Sequence, residues 1–321
     1  MKKSLINSVL VLVLFMFVSG FSQASTHLVT SDSEFISAME IYADGDTILM
    51  APGEYSADVS ISRSVTLRGQ TGSPDDVIIM RSAAVTSLVE ISGPALVRLE
   101  GLLIREHRGT SALADVYFAT LEVRNCRFIG NSSVIGGGAI RAEDCSLEIT
   151  DCSLVQNVCS TNGGALFVDG GSLVMDDCDI ASNIAGNDGG GLEIKAVEAV
   201  IGGCRLEDNT ANDTAGALHV WAGSILEMNS TLIAGNSVHI KSGGMVVQGS
   251  STATLSECTF ADNDGPLSDD GNIGLNCSAL FQCCYLDLDQ WVFSGTVEID
   301  DSGCQVATQQ ETLGGLKAIY R

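Results

Sequence analysis

Basic residues are scarce: 16 Lys and Arg stand against 40 Asp and Glu in 321 residues, a formal charge of −24. Phosphate contacts need clustered Lys and Arg, so nucleic acid is disfavoured as a partner. Proline numbers 4 and aromatics make up only 5%, whereas Gly numbers 35. Such a balance suits many tight turns around a narrow core better than a large layered domain. The four histidines (His27, His107, His219 and His239) are scattered with no metal-ligand spacing. No nucleophile elbow, phosphate-binding Gly loop or CxxC pair occurs.

What the chain has instead is a period. Cys126, Cys152, Cys178, Cys204, Thr231, Cys258 and Cys284 follow one another at steps of 26 or 27 residues. Apolar residues keep station with them, two positions after (Phe128, Leu154, Ile180, Leu206, Ile233, Phe260, Leu286) and three before (Val123, Ile149, Met175, Ile201, Met228, Leu255, Phe281). A fixed period of this length marks a solenoid. Within a unit the apolar residues alternate, as in Leu121 and Val123 or Ile140 and Ala142, which is strand spacing. Each unit reads as three short strands, and stacked units make an all-β, right-handed single-stranded parallel β-helix. A leucine-rich repeat would need a different leucine order and a helical segment.

Asn131, Asn157, Asn183, Asn209, Asn236 and Asn263 fall five positions after each marker. Their side chains are expected to stack as an amide ladder that satisfies polar groups at a bend. Gly pairs such as Gly163-Gly164 and Gly189-Gly190 supply positive φ at the turn into the next strand. The marker cysteines read as inward, mostly free thiols, because parallel in-register side chains make a disulfide dihedral awkward. Cys277 and Cys304 are the expected disulfide pair, with Cys283 as competitor.

Residues 1–24 have the layout of a secretory signal peptide: Lys2-Lys3, an apolar run from Val9 to Val18, then Ser22-Gln23-Ala24. The run is short of the ~20 residues a membrane span needs, so export to the extracellular space or cell surface is expected, with no transmembrane segment after cleavage. Cleavage would take the charge to −26, since residues 1–24 hold two lysines and no acid. Residues 25–321 are expected to form one monomeric domain: a cap over 25–45, coils over 46–304, and a C-terminal cap or tail over 305–321. Ser31-Asp32-Ser33-Glu34 offers a capping box for a helix presenting Phe35, Ala38, Met39 and Tyr42 on one face, which would cover the first coil. Leu313, Leu316, Ile319 and Tyr320 would cover the last.

Three groups carry candidate chemistry. Asp151 and Asp177, each just before a marker, should stack on adjacent coils with Asp176 alongside. Such a set is able to share a proton, to work as a catalytic acid and nucleophile, or to hold a cation, and equally to be an outer-turn pair with no function. Arg105, Arg108, Arg124 and Arg127 gather in the early coils, either as a face for acidic sugars or as solvated charge. Asp262, Asp264 and Asp269, with Gly265 and Gly271 nearby, resemble a calcium loop in donor type, without completing an EF-hand. No cofactor is required by any of these, and calcium is the one cation they suggest.

The run Asp46-Thr47-Ile48-Leu49-Met50-Ala51-Pro52-Gly53-Glu54-Tyr55, followed by Val65-Thr66-Leu67-Arg68-Gly69, resembles the first coils of secreted pectin-lyase-like proteins. Phe128-Ile129-Gly130-Asn131 with Gly137-Gly138-Ala139-Ile140, and Gly163-Gly164-Ala165-Leu166 after Asn157, are similar to repeats of the polymorphic outer-membrane proteins, which are surface adhesins. The resemblance implies the fold, and that fold carries lyases, hydrolases, epimerases and adhesins alike. A pectate lyase would imply a basic residue beside calcium-binding Asp residues, and a polygalacturonase a Gly-His-Gly that is absent here. The resulting expectation is an exported, non-enzymatic β-helix presenting a repetitive surface to a glycan or cell-surface component. A polysaccharide-active lyase or hydrolase of the same fold is the alternative, and a ligand-free extracellular scaffold stands third.

Overall fold

The computed structural model describes residues 24–300 other than 57–58, 81–88, 107, 111, 113 and 285. The signal-peptide stretch, Cys304 and the C-terminal cap residues lie outside the described residues, apart from Ala24. All strand pairs are parallel and form three walls, with one strand of each wall stacked on its equivalent in the next coil. Among the described residues the second wall has nine strands, from Gly53–Ser56 to Thr259–Ala261. The third has, among the described residues, five two-residue strands, from Ser132–Ser133 to Ser237–Val238.

The long wall differs from a plain three-strand reading, because most coils enter it twice. Ala114–Tyr117 and Thr120–Arg124, for example, flank a bend, and only Ile140–Thr150 and Leu166–Asp176 run through unbroken. The bend is made by left-handed residues such as Phe118, Asp144, Gly170, Ala196 and Ala222.

Register follows the period. Phe128, Leu154, Ile180, Leu206, Ile233 and Phe260 pair in line along the second wall. Each is at most 3% exposed, so the inward assignment of this column holds. Together with Val123, Ile149, Met175 and Ile201 they form one core that runs from Val29 to Trp291. The ladder is present in full. Each Asn of the column from 131 to 236 donates Nδ2 to the Oδ1 of the next at 2.9–3.1 Å, and the same Oδ1 accepts the backbone N–H of that donating Asn. Its last rung, Asn263, donates instead to Asp270 Oδ1 at 3.0 Å.

The two glycines of a pair divide the labour. Gly163 takes φ +65, whereas Gly164 has an ordinary φ but no room, since a Cβ there would lie 2.0 Å from the Gly190 carbonyl oxygen. The marker cysteines are free thiols. Most donate to a carbonyl of the coil before, as Cys178 does to Ile149 at 3.4 Å. Cys277 is also free and buried, donating to the Leu275 carbonyl, so the expected pair with Cys304 does not form. Among the described residues, Cys283 is set apart from the free thiols as disulfide-bonded. Cys277 turns inward as a small hydrophobe in the coil start, which removes it from the surface turn where spacing alone would put it.

At the front, α1 (Asp32–Ile41) buries Phe35 and Ala38 over the first coil. Ser31 Oγ accepts the Glu34 N–H, but Glu34 reaches back to Thr30 N–H rather than to Ser31, so the capping box is displaced by one residue. A short strand not foreseen, Thr26–Val29, precedes it and already pairs with Asp46–Met50 of the long wall.

Candidate functional site

The acidic residues singled out by spacing turn out to be turn residues. Asp151 and Asp177 are exposed and left-handed (φ 53 and 50), in a column otherwise filled by Asn125, Gly203, Ser230, Glu257 and Cys283. Asp and Asn tolerate that backbone, which accounts for their recurrence. Asp176 is exposed beside them. Asp262 is again a left-handed turn residue, in the position just before a ladder Asn. Asp264 is exposed and Asp269 accepts the Gly265 N–H, and among the described residues the three do not converge on a common ion.

The arginines are spread over all three walls and mostly neutralised. Arg105 lies 3.5 Å from Glu54, Arg127 2.5 Å from Asp75, and Arg124 2.9 Å from Glu148. Arg108 sits where the third wall begins, bridging Ser132 by its backbone. They do not form one cationic face.

The structure brings together a different set, on the outer face of the first half of the long wall. Glu193 and His219 are register partners on adjacent coils, and Asp188 lies on the turn just before Glu193. Outward-facing strand residues are normally wet, yet the Glu193 side chain is 0% exposed and that of His219 5%. His219 Nδ1 is 3.6 Å from Glu193 Oε2 and 4.0 Å from Asp188 Oδ2. Glu193 Oε1 accepts from Trp221 Nε1 at 2.8 Å and from Asn162 Nδ2 at 3.1 Å. Trp221 stacks on the His219 ring, 6.0 Å between centroids and 5° from parallel.

Around this buried group the same face carries aromatic rings and cations. Lys195 sits 5.5 Å over the Trp221 ring and pairs with Asp169 at 2.5 Å. Arg141 lies 5.5 Å over the Tyr117 ring, donates to its hydroxyl and pairs with Glu143. Burial, with the Asp115 charge next, pushes the Tyr117 phenol above its ordinary range, so the hydroxyl keeps its proton. Phe167 is in register between Arg141 and Glu193. Phe118, next to Tyr117, is 66% exposed and left-handed (φ 54), an unusual state for a bulky side chain.

Spacing arguments missed these residues because they look for ligands a few positions apart. In a solenoid the near neighbour is a full coil away: Glu193 to His219 and Asn162 to Asp188 are each one 26-residue step. Searching the columns for chemistry-bearing residues would have found them.

Residues 140–285 match the family described as right handed beta helix region. A 96-residue stretch is 27% identical to SHC SH2 domain-binding protein 1 of Mus musculus, and 28% to that of Homo sapiens. It covers 29% of this chain and about 14% of the length of those curated relatives. Among solved structures, an alginate lyase from Paenibacillus is similar over 85% of this chain and 99% of its own, with a TM-score of 0.57 and 12% identity. The pectate lyase Pel9A is similar over 88% and 78%, with a TM-score of 0.42 and 12% identity. The chain has the fold of a right-handed parallel β-helix.

Proposed function

We propose that the protein is an exported, non-catalytic β-helix that contacts a glycan through the outer face of its long wall. The observation that carries this reading is the row of rings on that face: Phe118, Tyr117, Phe167 and Trp221. From the coil of Tyr117 to that of Trp221 is four steps, about 19 Å at the ~4.8 Å spacing of stacked strands, an extended track suited to a chain. Aromatic rings offer flat apolar faces, and the paired Arg141–Glu143 and Lys195–Asp169 offer donors and acceptors for hydroxyl groups. Both cations are already neutralised and the whole chain is strongly acidic, which favours a neutral glycan over a polyuronate. Phe118 supports the same reading, since its left-handed backbone and exposed ring are a cost that packing does not repay.

A lyase of the same fold is the second reading. It draws on the likeness to an alginate lyase and on Glu193 and His219, whose chemistry suits acid–base work. Against it stands burial: no part of the Glu193 side chain is exposed to receive a substrate.

The test is a binding panel of neutral glucans, alginate and pectate, run beside an assay for new reducing ends or unsaturated products. Phe118→Gly is expected to weaken binding by about tenfold, the equivalent of ~1.4 kcal/mol. Its thermal midpoint should hold or rise, because glycine relieves the left-handed strain. Reproducible product release by the parent, abolished in Glu193→Gln, would replace this reading with the lyase. A panel without any bound glycan would remove it.

A further inference from the structure

We infer that Asp188, Glu193 and His219 form a binding site for one divalent first-row metal ion, with zinc the best match. Four atoms of the group lack a hydrogen-bond partner while buried: both ring nitrogens of His219, Glu193 Oε2 and Asp188 Oδ1. Their side chains are 5%, 0% and 23% exposed. Orphaned buried polar atoms cost ~1–3 kcal/mol each, and two of these, His219 Nδ1 and Glu193 Oε2, lie 3.6 Å apart, which calls for an occupant between them.

The spacing favours an ion over direct contact. Nitrogen to oxygen distances of 3.6 and 4.0 Å are too long for hydrogen bonds. Two ligands on one zinc, each ~2.0–2.2 Å from it at a tetrahedral angle, stand roughly 3.4 Å apart. The ligand atoms of all three side chains lie within 4.8 Å of one another.

The surroundings prepare the group for this. Trp221 Nε1 and Asn162 Nδ2 both donate to Glu193 Oε1, which fixes the carboxylate and leaves Oε2 turned toward His219. Supporting hydrogen bonds of this kind are how metal-binding carboxylates are oriented. Stacking on Trp221 holds the imidazole plane. Two carboxylates beside one imidazole leave a negative charge in a dry place, which a dication offsets. A nitrogen with few oxygens suits zinc and its neighbours, whereas calcium wants six to eight oxygens. Because Asp188 and Glu193 belong to one coil and His219 to the next, the ion would pin two coils together.

Chelator-stripped protein should be titrated with zinc alone, following bound metal per chain and the thermal midpoint. One equivalent is expected, with a raised midpoint, and cobalt in its place should give the visible absorption of a tetrahedral ion. His219→Gln should lose affinity by more than the roughly 10- to 100-fold typical of removing a supporting hydrogen bond. Where Glu193→Gln fails to fold, Asp188→Asn serves, since that side chain is partly exposed and its loss is tolerable. Zinc binding that is absent in the parent, or equal in the parent and in His219→Gln and Asp188→Asn, would overturn the site. The first result would leave a buried polar cluster that takes no ion, and the second metal held by surface carboxylates or thiols.

Discussion

Ahead of Cys126 the coils are unequal, and behind it, as far as Ser278, they are near copies. Along the long wall, register steps are 19 residues from Asp46 to Val65, 32 from Val65 to Val97 and 24 from Leu96 to Thr120. From Thr120 to Ser278 they are 26 or 27, and the last described step, from Ser278 to Thr296, shortens to 18. The polar wiring changes at the same boundary. In the regular region one solution recurs, an amide donating to the amide of the next coil and a thiol donating to the coil before. In the front region each buried polar group has its own arrangement. Asp46 accepts from Ser25 N–H, Ala43 N–H and His27, and Tyr55 donates its hydroxyl to the carbonyls of Val29 and Ala51. A column works only when every rung arrives at the same place, so equal coil length is the condition for a ladder. Where lengths vary, polar groups must be satisfied singly.

The largest expected effect is on the core of the regular region. Ile180 is 0% exposed between Leu154 and Leu206, and Ile180→Asp buries a charge with no partner. It should cost several kcal/mol. In a solenoid each coil touches only its neighbours, so hydrogen exchange should show lost protection in the flanking coils while Ile48 and Leu67 in the front stay protected. Parent-like stability would remove the inward assignment, and uniform loss of protection would mean that the two regions unfold as one.

Next comes the ladder itself. Asn183→Ala strips the acceptor from the Asn157 N–H and side-chain amide, and the donor from the Leu154 carbonyl. Denaturant melts should show roughly 1–3 kcal/mol lost. Tyr55→Phe, which frees only carbonyl oxygens in the front region, should cost less, about 1 kcal/mol. Equal costs would break the comparison, because the shared ladder would then be worth no more than a single contact.

Much of this was legible in the sequence, and for one reason. Periodicity reports on what every coil does alike, so the walls, the inward columns and the six-rung ladder could be read from residue types alone. Singular features left no periodic trace. The strand Thr26–Val29, the ladder's terminal partner Asp270 and the Glu193–His219–Asp188 group each occur once. Repetition also misled: Asp151 and Asp177 recur because a left-handed turn accepts them, not because chemistry needs them. The expected Cys277–Cys304 pair failed similarly, since distance from the marker says nothing about which way a side chain points.

The smallest effect near neutral pH, and the one that separates the two regions by sign, is titration. In the regular region the hydrogen bond with the neighbouring thiol, with burial adding, pushes Cys152 and Cys178 up to about 12 from an ordinary value near 9.0. Their folded state holds the proton more tightly than the unfolded chain does. The stability this contributes is whole below about pH 9 and lost as pH rises toward 12. In the front region the backbone N–H groups of Ala43 and Ser25, with His27 adding, hold Asp46 down at about 2 from 3.8. Its contribution is whole above about pH 4 and lost as pH falls toward 2. Thermal melts across this range should therefore show an alkaline limb that flattens in Cys152→Ala/Cys178→Ala and an acid limb that flattens in Asp46→Asn. Hydrogen exchange should place the alkaline opening behind Cys126 and the acid opening ahead of it. If either variant flattens the other limb, or if both limbs open the same coils, the boundary at Cys126 is one of sequence regularity without energetic consequence.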